Sequence, residues 1–178
     1  MGKALIIAGC ICLLISVYLY RQRYDTARLS ITTYKKNLKV YKTKTASIPV
    51  SLKIPNLNVD LAIIPSRISN GGSWQTTTDG ISYLISSPIP GDMGNSIFYG
   101  HNWPSLLGKL PKVKPGTIIE VHYADNTVKR FEVNTTAVVN PDQIGILDPT
   151  DDKRITIYTC TGFLDSKRFV AVALLQDI

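Results

Sequence analysis

The chain has 178 residues, 44% of them hydrophobic, which suffices for one domain with a real core plus a small appendage, and not for several domains. Its net charge is +7, yet the 20 basic residues are spread out and form no basic run interleaved with aromatics, so nucleic acid is not expected as a partner. Dispersed positive charge suits solubility beside an anionic surface such as a cell envelope.

The first element is Ala4 to Tyr20, seventeen residues without a charge, at the lower edge of what spans a bilayer. Tyr18 and Tyr20 sit where an interfacial aromatic belt would be. A cleaved signal peptide needs a small-residue site after the apolar run, and Arg21-Gln-Arg23 stands there instead. A lipoprotein signal is hinted at by Ile7-Ala-Gly-Cys10, but the apolar run continues ten residues beyond Cys10. Residues 1–23 therefore read as an uncleaved, single-pass anchor. Lys3 and the α-amino group favour a cytoplasmic N-terminus, while Arg21, Arg23 and Arg28 argue the other way. The chemistry below makes sense outside the cell, so the cytoplasmic N-terminus is the expectation.

Residues 24–47 are polar, rich in Lys, Thr and Tyr and free of glycine, and form either a helical stalk or a loose tether. The domain, residues 48–178, opens with strands at Val50 to Ile54 and Leu57 to Ile64, broken by Pro55-Asn56. Asn70-Gly-Gly-Ser73 is a turn, and Asp79 to Ser86 reads as one helical turn or two. Asn95 to His101 is an apolar strand ending on a histidine, and Leu106 to Leu110 is a short helix or a loop pinned by leucines. Thr117 to Tyr123 and Val128 to Val139 alternate as a hairpin around Asp125-Asn126. Asn140 to Lys153 is a long loop, followed by two strands, Arg154 to Cys160 and Arg168 to Leu175. Roughly eight strands with few helices indicate an all-β barrel.

The candidate chemistry gathers at strand ends. Cys160 closes its strand just before Thr161 and Gly162, and after seven intervening residues Arg168 opens the next. Adjacent strands could thus set a thiol beside a guanidinium, and a thiol needs positive charge nearby to become a nucleophilic thiolate. Cys10 and Cys12 fall inside the apolar run, so Cys160 is alone in the domain, which excludes a disulfide framework and a cysteine-rich zinc site there. Taken singly, each residue has an ordinary reading. Cys160 would be a small buried hydrophobe, His101 a satisfied core histidine, and Arg168 an exposed strand-start charge. His122 is out of phase with Val121 and Tyr123 and reads as a solvated strand position. Trp103 is a candidate groove wall or simple packing. Asp142, Asp148, Asp151 and Asp152 could bind Ca²⁺ through their carboxylates, but no ligand spacing is recognisable and a solvated acidic loop is the better reading.

Thr156-Ile-Tyr-Thr-Cys160 resembles the TLxTC signature of the sortases, with Ile157 in place of leucine. Ile54-Pro-Asn-Leu-Asn-Val-Asp-Leu-Ala-Ile63 is similar to that family's first strand pair, and Pro90 to His101 to its histidine segment. The resemblance covers about residues 50 to 176. It implies an eight-stranded sortase-type β-barrel with short helices, preceded by one transmembrane helix. The activity it implies is a membrane-anchored cysteine transpeptidase with Cys160 as nucleophile, His101 as acid and base, and Arg168 as stabiliser of the oxyanion or of the substrate backbone. Thr159, as the threonine of the signature, is expected to line the same pocket, with Thr161 and Trp103 as further substrate contacts. The implied partners are surface proteins bearing an LPxTG-like sorting signal and an amine acceptor on a cell-wall precursor or a pilin. No cofactor is implied. The Val138 to Thr150 loop looks most like class D or class E members, while Gly162-Phe163 departs from the aromatic and proline often found there in class D. A phosphatase-type loop is rejected because it needs five residues, not seven, between Cys160 and Arg168, and a papain-like hydrolase because the order of Cys and His is reversed. The non-enzymatic alternative is a membrane-tethered β-barrel adhesion or sensor domain, for which the three residues need not meet.

Overall fold

The computed structural model describes residues 2–23, 29, 48–69 and 74–176. Without charges or prolines, the N-terminal run forms one helix, α1 (Gly2–Arg23), of 22 residues. At 1.5 Å per residue it is about 33 Å long, matching the hydrocarbon thickness of a bilayer. It is apolar on every side and none of its most apolar stretch is buried against the protein.

The domain is a closed barrel of eight strands: β1 (Pro49–Ile54), β2 (Val59–Ser66), β3 (Ile81–Leu84), β4 (Gly94–Gly100), β5 (Ile118–Tyr123), β6 (Val128–Val139), β7 (Lys153–Thr161) and β8 (Lys167–Leu175). Around the barrel they run β1-β2-β3-β4-β7-β8-β6-β5, and β5 pairs with β1 to close it. Closure removes the open edges that an eight-stranded sheet would otherwise expose. Two pairings, β2 with β3 and β4 with β7, are parallel, and the rest are antiparallel. The β5–β6 turn follows from local chemistry. The Asp125 carboxylate accepts from the Thr127 amide and hydroxyl, and Asn126 takes the left-handed conformation (φ 63°) that asparagine tolerates.

Side-chain alternation sorts the barrel into two apolar layers. Inward residues, including Phe98, Ile155, Ile157, Phe169 and Ala171, fill the interior. Ile97, Tyr99, Tyr158, Cys160 and Val170 point outward into a second cluster with Trp74, Leu84 and Leu147. Leu29, from the segment after α1, is fully buried in that outer cluster. The rest of the segment, residues 24–47, lies outside the described residues, as does the turn expected at 70–73.

Two expectations change. Residues 79–86 are not helical: Ile81, Ser82, Tyr83 and Leu84 form β3, buried at all four positions. Parallel pairing with β2 and antiparallel pairing with β4 outweigh what local sequence offers. The 140–153 loop is partly regular, with a 3₁₀ turn at Ile144–Leu147. It is tied down by Asn95, whose amide donates to the carbonyls of Ile146 (3.0 Å) and Asp148 (3.2 Å) while its oxygen accepts from the Thr156 hydroxyl (2.7 Å).

Candidate active site

Three strand ends meet at one corner of the outer layer. Cys160 on β7 lies opposite Arg168 on β8, and Gly100 at the end of β4 lies beside Thr159. Directly opposed antiparallel residues have Cα atoms about 4.5–5.5 Å apart and project to the same face. His101 is one residue beyond Gly100, which brings it alongside Cys160. Alternation agrees, since Phe98 and Ile157 are interior while Tyr99 and Tyr158 are outer, so His101, Cys160 and Arg168 follow in the outer phase. All three are nearly covered, at 4%, 3% and 5% exposed.

Each side chain has a local support. The His101 ring stacks on Trp103 (centroids 4.5 Å apart, planes at 11°), and its carbonyl accepts from the Leu107 amide. The loop then doubles back so closely that a Cβ on Gly108 would sit 2.7 Å from the Trp103 carbonyl oxygen, so only glycine fits there. Burial pushes the His101 pKa below its ordinary value, and the negative charge of Asp165 opposes this in part. The ring therefore rests neutral. Arg168 donates through one terminal nitrogen to the carbonyls of Asp165 and Lys167, both at 2.9 Å.

Thr159 and Thr161 lie in the opposite phase to Cys160. Thr159 is fully buried and donates its hydroxyl to the Gly100 carbonyl (2.8 Å), stitching β7 to β4. Thr161 is half-buried and pairs with Lys167. Trp103 packs on the imidazole. His122 lies elsewhere, half-buried on β5 and 3.4 Å from the Glu120 carboxylate. Among the described residues no group of three or more acidic, His or Cys side chains could hold a metal ion. In the acidic loop the Asp152 carboxylate is engaged by Arg154 and by the Thr150 hydroxyl, which holds its pKa below the usual carboxylate value.

The site also uses residues that the sequence does not single out. The β7–β8 turn carries Gly162 (φ 79°) and then two consecutive non-glycine residues in the left-handed region, Leu164 (φ 49°) and Asp165 (φ 59°). Each costs on the order of 1–2 kcal/mol. The Asp165 carboxylate accepts from the Asn102 side-chain amide at 2.8 Å. Asn102 and Asp165 are 63 residues apart, and only the barrel closing β4 against β7 and β8 makes them neighbours.

The architecture is that of the sortase-type barrel, with its strand-end corner at β4, β7 and β8. The sortase domain family model matches residues 52–176, and the chain belongs to the sortase family. It is similar to sortase A of Listeria monocytogenes serovar 1/2a, with 28% identity over 130 residues, 71% of this chain and 55% of that protein. The chain thus spans little more than half the length of that curated relative. Among solved structures it resembles sortase A from Corynebacterium diphtheriae (TM-score 0.62, 26% identity, 74% of this chain and 61% of that one). Listeria monocytogenes sortase A is also similar (TM-score 0.59, 27% identity, 74% and 88%). A Clostridium perfringens sortase D5 shares the fold (TM-score 0.61, 21% identity, 76% and 83%).

Proposed function

We propose that the chain is a membrane-anchored transpeptidase that cleaves an LPxTG-like sorting signal through a thioester on Cys160 and passes the acyl group to an amine of a cell-wall precursor or a pilin. The observation that carries this reading is the cross-strand pairing of Cys160 with Arg168, with His101 one residue past the end of the neighbouring strand.

In this reading the Cys160 thiol and the His101 imidazole act as a nucleophile and general-base pair. His101 takes the thiol proton as Sγ attacks the scissile carbonyl, and the new C–S bond forms as the carbonyl π pair moves to oxygen. The Arg168 guanidinium, permanently cationic and fixed by two carbonyls, stabilises that oxyanion. Collapse breaks the C–N bond, and the imidazolium returns its proton to the departing amine. The acceptor amine then attacks the thioester with His101 as base, and the thiol is restored. Thr159 contributes by holding the β4–β7 register that brings His101 to Cys160, and Trp103 by fixing the ring. Thr161, next to the nucleophile in sequence, remains in this reading a substrate contact at the strand end.

The apolar α1 supports anchoring in the cell membrane by a single pass. In this reading the N-terminus is cytoplasmic and the domain outside, where sorting signals and amine acceptors are found. The test is incubation of the full chain in detergent with a panel of LPxTG-like peptides, with and without an amine, followed by mass spectrometry. A thioester mass on Cys160 that amine releases supports the reading. Acylation elsewhere, or acylation that persists in a Cys160→Ala variant, overturns it in favour of a non-catalytic adhesion or sensor barrel.

A further inference from the structure

Catalysis by this corner requires two groups from different strands to keep a fixed relation to Cys160: the imidazole after β4 and the guanidinium at the start of β8. Asp165, in the turn between β7 and β8, touches both supports. Its carboxylate accepts from Asn102, the residue after His101 (2.8 Å), and its backbone carbonyl accepts from Arg168 (2.9 Å). It does so from a left-handed backbone (φ 59°), directly after a second left-handed residue, Leu164. A chain holds consecutive non-glycine residues there only when the surroundings impose it, and such strain gathers at functional sites. Resting on the transpeptidase reading above, we infer that Asp165 is a positioning residue for acyl transfer, a single support that fixes the His101 loop and the Arg168 guanidinium relative to the thiol.

The carboxylate has a second effect through space. Among the described residues, the charged and titratable groups gathered with His101 at this corner are Cys160 from β7, Arg168 from β8 and Asp165 from the turn; Trp103 covers one face of the ring. Tyr158, next to Cys160 on the same strand, stays neutral because burial raises its pKa well above 10. Asp165 is thus the anion that counteracts the loss of imidazole basicity on burial, favouring transfer of the thiol proton to His101.

Three variants of the full chain separate tether from charge. Asp165→Asn keeps an acceptor oxygen for Asn102 and a residue that tolerates the left-handed region, but removes the charge. Asn102→Ala removes the amide and keeps the charge, and Asp165→Ala removes both. The readouts are kcat/KM for whichever peptide of the LPxTG-like panel is turned over, and the pH dependence of Cys160 alkylation by iodoacetamide, resolved by site in the mass spectrum. Asp165→Asn is expected to move the Cys160 alkylation profile to lower pH. Asn102→Ala is expected to leave the profile in place while lowering kcat/KM about tenfold, and Asp165→Ala to lower it by about 10²-fold, as misplacement of a catalytic group does. Wild-type rates and profiles in both Asp165→Asn and Asn102→Ala overturn the inference, as does an Asp165→Ala defect that only tracks a fall in melting temperature. Failure of the wild-type protein to acylate Cys160 with any peptide strikes the transpeptidase reading instead, and the alkylation profile still decides whether Asp165 acts on the thiol–imidazole pair.

Discussion

At the scale of single residues, the corner turns on three side chains that are individually ordinary. A lone cysteine, a histidine at a strand end and an arginine opening a strand each have a structural explanation, and their value lies in being brought together. Arg168→Lys is expected to keep the charge and lose the fixed two-point grip on the Asp165 and Lys167 carbonyls, lowering kcat/KM about 10²–10³-fold in a peptide-cleavage assay with little change in melting temperature. His101 also ties stability to pH. Its folded pKa lies below its unfolded one, so the folded state binds fewer protons, and the neutral ring's contribution is present above the unfolded pKa and is lost as pH falls toward the folded one. His101→Gln is expected to flatten the decline in melting temperature between about pH 7 and pH 5. An unchanged slope would mean that other groups carry the acid sensitivity.

At the scale of elements, the strands most legible in the sequence are those made by side-chain alternation and β-branched runs. Val128 to Val139 was expected as a strand and is one, and the Asp125-Asn126 hairpin turns where its residues say. The TxxTC run and the strand-end histidine were readable because they lie at strand termini, where the apolar pattern stops. Asp79 to Ser86 was not, because four residues buried on both faces leave no period to read. Asp165 and Asn95 escaped for a different reason. Their partners, Asn102 and the Ile146 and Asp148 carbonyls, lie some fifty to sixty residues away in sequence, and no local pattern encodes a hydrogen bond across a closed barrel. Asn95 makes the element-scale prediction. Asn95→Ala strands two loop carbonyls and the Thr156 hydroxyl, and is expected to cost about 1–3 kcal/mol in chemical denaturation. It should also speed amide exchange selectively in residues 140–153; uniform exchange across the barrel would show instead that the loop does not depend on Asn95.

At the scale of the whole molecule, two apolar layers on either side of one sheet share the work of stability. The inner layer holds the barrel shut. Ile157→Ala, which empties a fully buried interior site, is expected to cost about 2–5 kcal/mol without altering the strand-end corner. The outer layer contains Tyr99 and Tyr158 stacked at 5.5 Å, with Trp74 edge-on to both. Burial pushes the Tyr99 hydroxyl up to about 12 and Tyr158 well above its usual value. An alkaline titration followed by phenolate absorbance should therefore leave these two silent up to about pH 11, then show them ionising together with unfolding. Ionisation of every tyrosine near pH 10 in the folded protein would contradict the packing of this layer.

Leu29 alters the geometry of the leash. Counted to the first strand, the chain between Arg23 and Ile48 could reach about 85 Å fully extended. With Leu29 seated among Trp74, Leu84 and Tyr158, only five residues lie between the end of α1 and the outer wall, and that distance cannot exceed about 21 Å. Cubed, the ratio shrinks the volume the barrel can sweep about sixtyfold. Were α1 held in a bilayer, that short reach would keep the Cys160 face close to the membrane surface, so a reaction partner embedded in the same membrane would meet it at high local concentration, whereas one far above the surface would fall outside its range.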